Sequence, residues 1–178
     1  MSSTTASEPR RHRLALSPAG EASVAILVLS LGVIGGALVF QYVVGLVPCE
    51  LCFAERWAWY AAIPLAALFL VWQPPAVARL LPLLFGALFL GSAGLAFYHV
   101  GVEQHVFAGP TACTAGRLAG GSLEEMTRAL MATPVVLCDE VQWSLFGISL
   151  AGWNLVASVL AIAVAVRAWH RMPAGGTA

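Results

Sequence analysis

The sequence predicts an all-α membrane protein, a four-transmembrane-helix bundle with two external loops, the second carrying a short amphipathic helix. Three observations predict it. Of 178 residues, 60% are hydrophobic and only 10% charged, with a mean hydropathy of +0.84, whereas a soluble domain carries about 25% charge. The charges fall in clusters separated by four uncharged runs, 22–49, 57–78, 80–102 and 141–166, each long enough for a span of about 20 apolar residues. The charges also segregate by side: Arg10, Arg11, Arg13, Arg79, Arg167 and Arg171 flank one face, while the other carries Arg56, Arg117 and Arg128 against seven acids. The positive-inside rule makes the arginine-rich face cytoplasmic, so both termini are cytoplasmic and both long connections are external.

Residues 1–21 form a polar cytoplasmic tail. Its arginines resemble the start of a signal peptide, but the apolar run that follows exceeds the about 7–15 residues of such a segment and lacks a clear small-residue cleavage site. It is read as an uncleaved first span, about Ala22 to Val44, whose Gly32, Gly35 and Gly36 let a neighbouring helix approach closely. Gln41 near its outer end reads as an interfacial amide bonded to backbone.

A short external connection, about 45–51, leads into the second span, about Cys52 to Trp72. Trp57, Trp59, Tyr60 and Trp72 read as interfacial belts. Pro64 frees a carbonyl that only neighbouring helices or side chains can satisfy, which argues for a packed bundle. After the turn at Gln73-Pro74-Pro75, the third span runs from about Arg79 to Tyr98, with His99 at its outer end.

The second external loop, about 100–141, is the longest polar stretch between spans. Ser122-Leu123-Glu124-Glu125 has the form of a capping box and opens a short helix, Leu123 to Met131, suited to the membrane surface. The last span runs from about Val141 to Val166, closing a four-helix domain over 22–166, and 167–178 form a cytoplasmic tail. No Gly-rich phosphate loop occurs, and no nucleic-acid partner is expected.

All four cysteines fall on the external side, where disulfide chemistry is possible. Cys49 and Cys52 make a Cys-x-x-Cys followed by Glu55-Arg56. With Pro48 in the first positions of a helix, Cys49, Cys52 and Arg56 recur on one face, and the helix N-terminus and guanidinium favour thiolate. Glu50, between the sulfurs, opposes that effect. A structural disulfide or half a zinc site remain the competing readings. A zinc site of four cysteines usually shows two Cys-x-x-Cys halves, and Cys113 and Cys138 are far apart, so no metal is expected. A c-type haem needs His after the second cysteine; Phe53 stands there. Two cysteine pairs on adjoining loops suggest sequential thiol–disulfide exchange, and two static disulfides bracing a membrane scaffold are the alternative.

Phe40-Gln41, then Pro48-Cys49-Glu50-Leu51-Cys52-Phe53-Ala54-Glu55-Arg56, then His99 ahead of Cys113, then Cys138-Asp139-Glu140-Val141-Gln142-Trp143 resemble the disulfide bond formation protein B (DsbB) family over about residues 22–166. The Pro-Cys-x-Leu-Cys-x-x-Glu-Arg stretch is specific. A vitamin K epoxide reductase-like protein also carries a Cys-x-x-Cys in a helical bundle, but a Cys-x-x-Cys that opens the second span and leads into Glu55-Arg56 favours DsbB. The resemblance implies a bacterial inner-membrane oxidase that reoxidises a periplasmic thioredoxin-fold, DsbA-like dithiol protein and passes electrons to a quinone of the lipid bilayer, ubiquinone or menaquinone. By the same resemblance Cys113 is attacked by the reduced partner and Cys138 relays to Cys49. Cys52 donates to the quinone beside Arg56, and Glu55 and His99 lie close by, with Glu55 orienting Arg56.

Overall fold

Ser17 starts the first helix: its hydroxyl accepts the Gly20 N–H at 3.1 Å, and Pro18 follows at the position where a missing N–H costs nothing. A computed structural model describes residues 16–73, 75–110 and 137–172 of the chain. Its helices are α1 (Pro18–Tyr42), α2 (Glu50–Trp72), the single turn α3 (Pro75–Ala78), α4 (Leu80–Glu103) and α5 (Leu150–Arg171). Two short strands, β1 (Ser144–Leu145) and β2 (Ile148–Ser149), pair antiparallel in front of α5.

Contacts between helix ends set the arrangement. Arg56 near the start of α2 meets Gln41 near the end of α1, and His99 near the end of α4 meets Glu55 in α2. Ser149 before α5 meets Glu103 at the end of α4, and Arg171 at the end of α5 pairs with Glu21 in α1. Successive helices are therefore antiparallel. Each long helix packs mainly on two others, α1 on α2 and α5, and α4 on α5 and α2, which closes a four-membered ring.

The interior uses small and aromatic side chains. Trp59, Phe85, Phe89, Ile26, Ala62, Ala66, Ala161 and Ala165 are buried together, with the Trp59 and Phe89 rings 4.7 Å apart. Ser92 and Ser158 bond to each other at 3.0 Å between α4 and α5. The outward faces carry Val28, Leu31, Leu68, Leu83, Leu90, Val159 and Leu160. A bundle with serine inside and branched aliphatics outside is built for lipid, where helices associate through small residues and interhelical hydrogen bonds. α1, α4 and α5 are each long and apolar enough to cross a membrane. α2 has 23 residues, but Glu50, Glu55 and Arg56 occupy its first two turns.

The observed limits differ from expectation at several helix ends, and three of these bear on the site. The last helix begins at Leu150, nine residues after Val141. Phe146 and Gly147 both take positive φ, 54° and 78°, as a two-residue hairpin turn requires, and Ser149 then caps α5 through Gly152 N–H at 3.1 Å. The third helix runs on to Glu103, so His99 lies inside it. Pro48 precedes the cap of α2, and Cys49 itself is the N-cap. The helix expected over Leu123–Met131, and Cys113, lie outside the described residues.

Candidate thiol site

Cys49 caps α2 with its sulfur. Its Sγ accepts the Cys52 N–H at 3.2 Å, and the turn brings the two sulfurs to 2.8 Å with both cysteines free. Cys49 is buried, 4% exposed. Its thiol is pulled down from 9.0 to about 5, chiefly by the Cys52 S–H, then by His99 and the Cys52 N–H, against the opposing effect of burial. Glu50, which follows Cys49 in the chain, is exposed. The Cys52 S–H, the Cys52 N–H and His99 thus all favour the thiolate form of Cys49 over the thiol.

Behind the sulfurs a chain of polar side chains crosses three helices. His99 Nε2 is 3.6 Å from Cys49 Sγ, and His99 Nδ1 is 2.8 Å from Glu55 Oε1. Asn154 Nδ2 donates to Glu55 Oε2 at 2.8 Å, and Trp59 Nε1 donates to Asn154 Oδ1 at 2.7 Å. Both carboxylate oxygens are partnered, as burial demands. Glu55 therefore serves His99, not Arg56: residues 55 and 56 are adjacent on a helix and point to different neighbours. Trp59, expected in an interfacial belt, is fully buried, while Trp57 is 73% exposed.

Arg56 turns the other way. Its Nη1 donates to Gln41 Oε1 at 2.6 Å, and its guanidinium lies over the Phe53 ring at 5.2 Å. Gln41 bonds this side chain, in place of the backbone group expected. Cys52, Arg56, Gln41, Phe40, Trp143 and His99 line one cavity of about 230 Å³ between α1, α2 and the segment before α5. Phe40 and Trp143 pack with ring centroids 4.6 Å apart, and Gln142 Nε2 donates to Val47 O at 2.9 Å. These contacts tie the hairpin segment to the Cys-x-x-Cys loop.

Cys138 is disulfide-bonded and buried, and shares an apolar cluster with Cys49, Leu51 and Val102. Of the candidate residues, Cys49, Cys52, Glu55, Arg56 and His99 come together around one cavity, and Cys138 packs beside Cys49. Cys113 lies outside the described residues. Sequence reasoning missed Asn154 and Trp59. The available signal was an amide in an apolar run and a tryptophan one helical turn after Glu55.

Apolar outward faces, a cysteine pair with Cys49 buried and Cys52 half-buried, and a disulfide-bonded Cys138 packed beside Cys49 define a helical membrane protein equipped for thiol–disulfide exchange. A profile described as "Disulfide bond formation protein DsbB" matches residues 20–168, and the chain belongs to that family of membrane disulfide-forming oxidoreductases. It is similar to "Disulfide bond formation protein B" of Hahella chejuensis, 32% identical over 151 residues covering 80% of this chain and 88% of the relative. It is also similar to "Disulfide bond formation protein B 1" of Pseudomonas aeruginosa, 31% identical over 137 residues covering 71% and 80%. A third relative, "Disulfide bond formation protein B" of Haemophilus influenzae, is 31% identical over 142 residues covering 76% and 77%. No solved structure gives a significant match.

Proposed function

We propose that this chain is a protein-dithiol:quinone oxidoreductase of the bacterial inner membrane, which reoxidises a periplasmic thioredoxin-fold, DsbA-like protein. The observation that carries the reading is the position of the Cys49–Cys52 pair, with Cys138 packed on one side and a cavity holding Arg56 on the other. Four spans, with α2 as the fourth, keep both termini cytoplasmic. The partner's thiolate attacks Cys113 of a Cys113–Cys138 disulfide and releases Cys138. The Cys138 thiolate attacks Cys49 of the oxidised Cys49–Cys52 pair, and Cys52 leaves as thiolate. The partner's second thiol closes its own disulfide and frees Cys113, which resolves the Cys138–Cys49 bond. Two electrons now reside on Cys49 and Cys52, and the partner is oxidised.

A quinone bound there would supply the acceptor for the two electrons and two protons that leave Cys49 and Cys52 as their disulfide re-forms. The cavity fits its ring: it is smaller than the about 300–1,000 Å³ of sites for drug-sized ligands, flanked by Phe40 and Trp143, and open to cations and amides from Arg56 and Gln41. Arg56 stabilises negative charge beside Cys52. His99 holds the proton of Cys49, and Glu55 holds His99 in orientation.

The test uses purified chain in lipid nanodiscs with a reduced thioredoxin-fold protein and a soluble quinone. Quinone reduction should follow partner oxidation in a one-to-one ratio, and Cys52→Ser should abolish it. Undiminished turnover by that variant would overturn the assignment.

A further inference from the structure

The reduced site offers something beyond electron transfer. Cys49 Sγ, Cys52 Sγ and His99 Nε2 lie within 4.8 Å of one another, buried or half-buried. Zinc takes thiolate and imidazole ligands at about 2.3 Å and about 2.0–2.1 Å in tetrahedral geometry. That geometry sets a sulfur–nitrogen edge of about 3.6 Å and a sulfur–sulfur edge of about 3.8 Å. The Cys49 Sγ to His99 Nε2 distance is 3.6 Å, while the sulfurs at 2.8 Å would part by about 1 Å. Cys-x-x-Cys is the ordinary spacing for two zinc thiolates, and the third donor comes from α4, invisible to a search for a second Cys-x-x-Cys.

A second, independent observation points to the same ligand. Metal-bound histidines almost always give their other ring nitrogen to a carboxylate or carbonyl, which sets tautomer and ring orientation. His99 Nδ1 is held at 2.8 Å by Glu55, whose other oxygen is held by Asn154. Nε2 is thereby directed at the sulfurs.

We propose that the reduced chain binds one thiophilic divalent cation, zinc foremost, through Cys49, Cys52 and His99, with the fourth position facing the cavity, and that this binding arrests turnover. The cation replaces the protons held among the two sulfurs and the imidazole; no electrons move. The disulfide form has no thiolates to offer, so binding and oxidation exclude each other. Zinc at the outer face would then hold the enzyme reduced, and chelation would release it.

The probe is cobalt(II) as a spectroscopic stand-in, then zinc, added to full-length chain in detergent, reduced and freed of reductant under anaerobic conditions. One equivalent should raise intense tetrahedral-type visible bands with sulfur-to-cobalt charge transfer, and zinc should displace them. The same chain in its oxidised form should show neither. His99→Ala should weaken binding at least tenfold, and Glu55→Gln by about 10–100-fold. Equal cobalt spectra from reduced and oxidised chain, or spectra unchanged by Cys49→Ser, would overturn the proposal, as would an absence of bands in the reduced chain. These readouts involve no quinone and no protein partner, so they stand apart from the success of the proposed electron transfer.

Discussion

His99 Nδ1 lies 2.8 Å from Glu55 Oε1, with both side chains buried, and this contact joins α4 to α2 directly behind the cysteine pair. Because Asn154 occupies the second carboxylate oxygen, Glu55 has no freedom to turn toward Arg56. The acid acts on the sulfur through the imidazole. Glu55→Gln keeps the shape and the Asn154 contact but removes the charge that holds His99. A hydrogen bond to a charged group contributes about 1.5–3 kcal/mol, so the Cys49 midpoint should rise and alkylation at pH 6 should slow by about twofold to fifteenfold. A lowered melting temperature with an unaltered alkylation rate would show that Glu55 only braces the bundle.

The depressed thiol of Cys49 has a pH signature. With a folded value of about 5 against 9.0, Cys49 in the reduced chain should alkylate at a rate nearly flat from pH 6 to 8, halved near pH 5 and falling about tenfold per unit below that. Cys52→Ala removes the largest cause, so its midpoint should move upward. The linkage sign follows for this group alone: Cys49 binds fewer protons in the folded reduced chain than in the unfolded one between those two values, so its own contribution to stability rises with pH across that window. The stabilisation is complete above about pH 9 and lost as pH falls through about 5. Mass-spectrometric labelling with chelator present measures the profile.

Arg56 depends on Gln41 for its orientation over the cavity. Gln41→Leu leaves the guanidinium without that acceptor, at a cost of about 1–3 kcal/mol for the unmet group. The KM for quinone should rise by roughly tenfold or more, while the KM for the protein partner stays constant. Steady-state kinetics with each substrate varied in turn separates the two, and equal changes in both would refute the placement of Arg56 at the quinone.

Asn154 accepts from Trp59 and donates to Glu55. Asn154→Leu strands both, each at about 1–3 kcal/mol, and should lower the thermal unfolding temperature in detergent. Asn154→Leu combined with Trp59→Phe removes one of the two stranded groups and should recover part of that loss. Failure of the second substitution to restore stability would mean that the Trp59 contact contributes little.

The membrane character, the helices and the family were legible in the sequence because they rest on quantities that accumulate along the chain. Long uncharged runs must form helices in lipid, where no other segment can satisfy its own backbone, and arginines mark where the runs end. The Cys-x-x-Cys followed by Glu-Arg was legible for the same reason, since its spacing is local. Element limits were less so. The last helix was expected nine residues early because Val141 to Ser149 is apolar enough to join it; the paired positive φ of Phe146 and Gly147 decides otherwise.

The sequence by itself singled out the candidate residues and set them near one end of the spans. Only the tertiary structure decided which of them touch. Glu55 and Arg56 are neighbours in the chain, but a helix turns adjacent side chains about 100° apart, so one meets His99 and Asn154 while the other meets Gln41. His99, read as a residue at the end of a span, becomes the partner of Cys49 because α4 continues to Glu103 and packs antiparallel to α2. Contacts separated by 44 to 99 residues are set by which helix faces meet, and no local pattern records that choice.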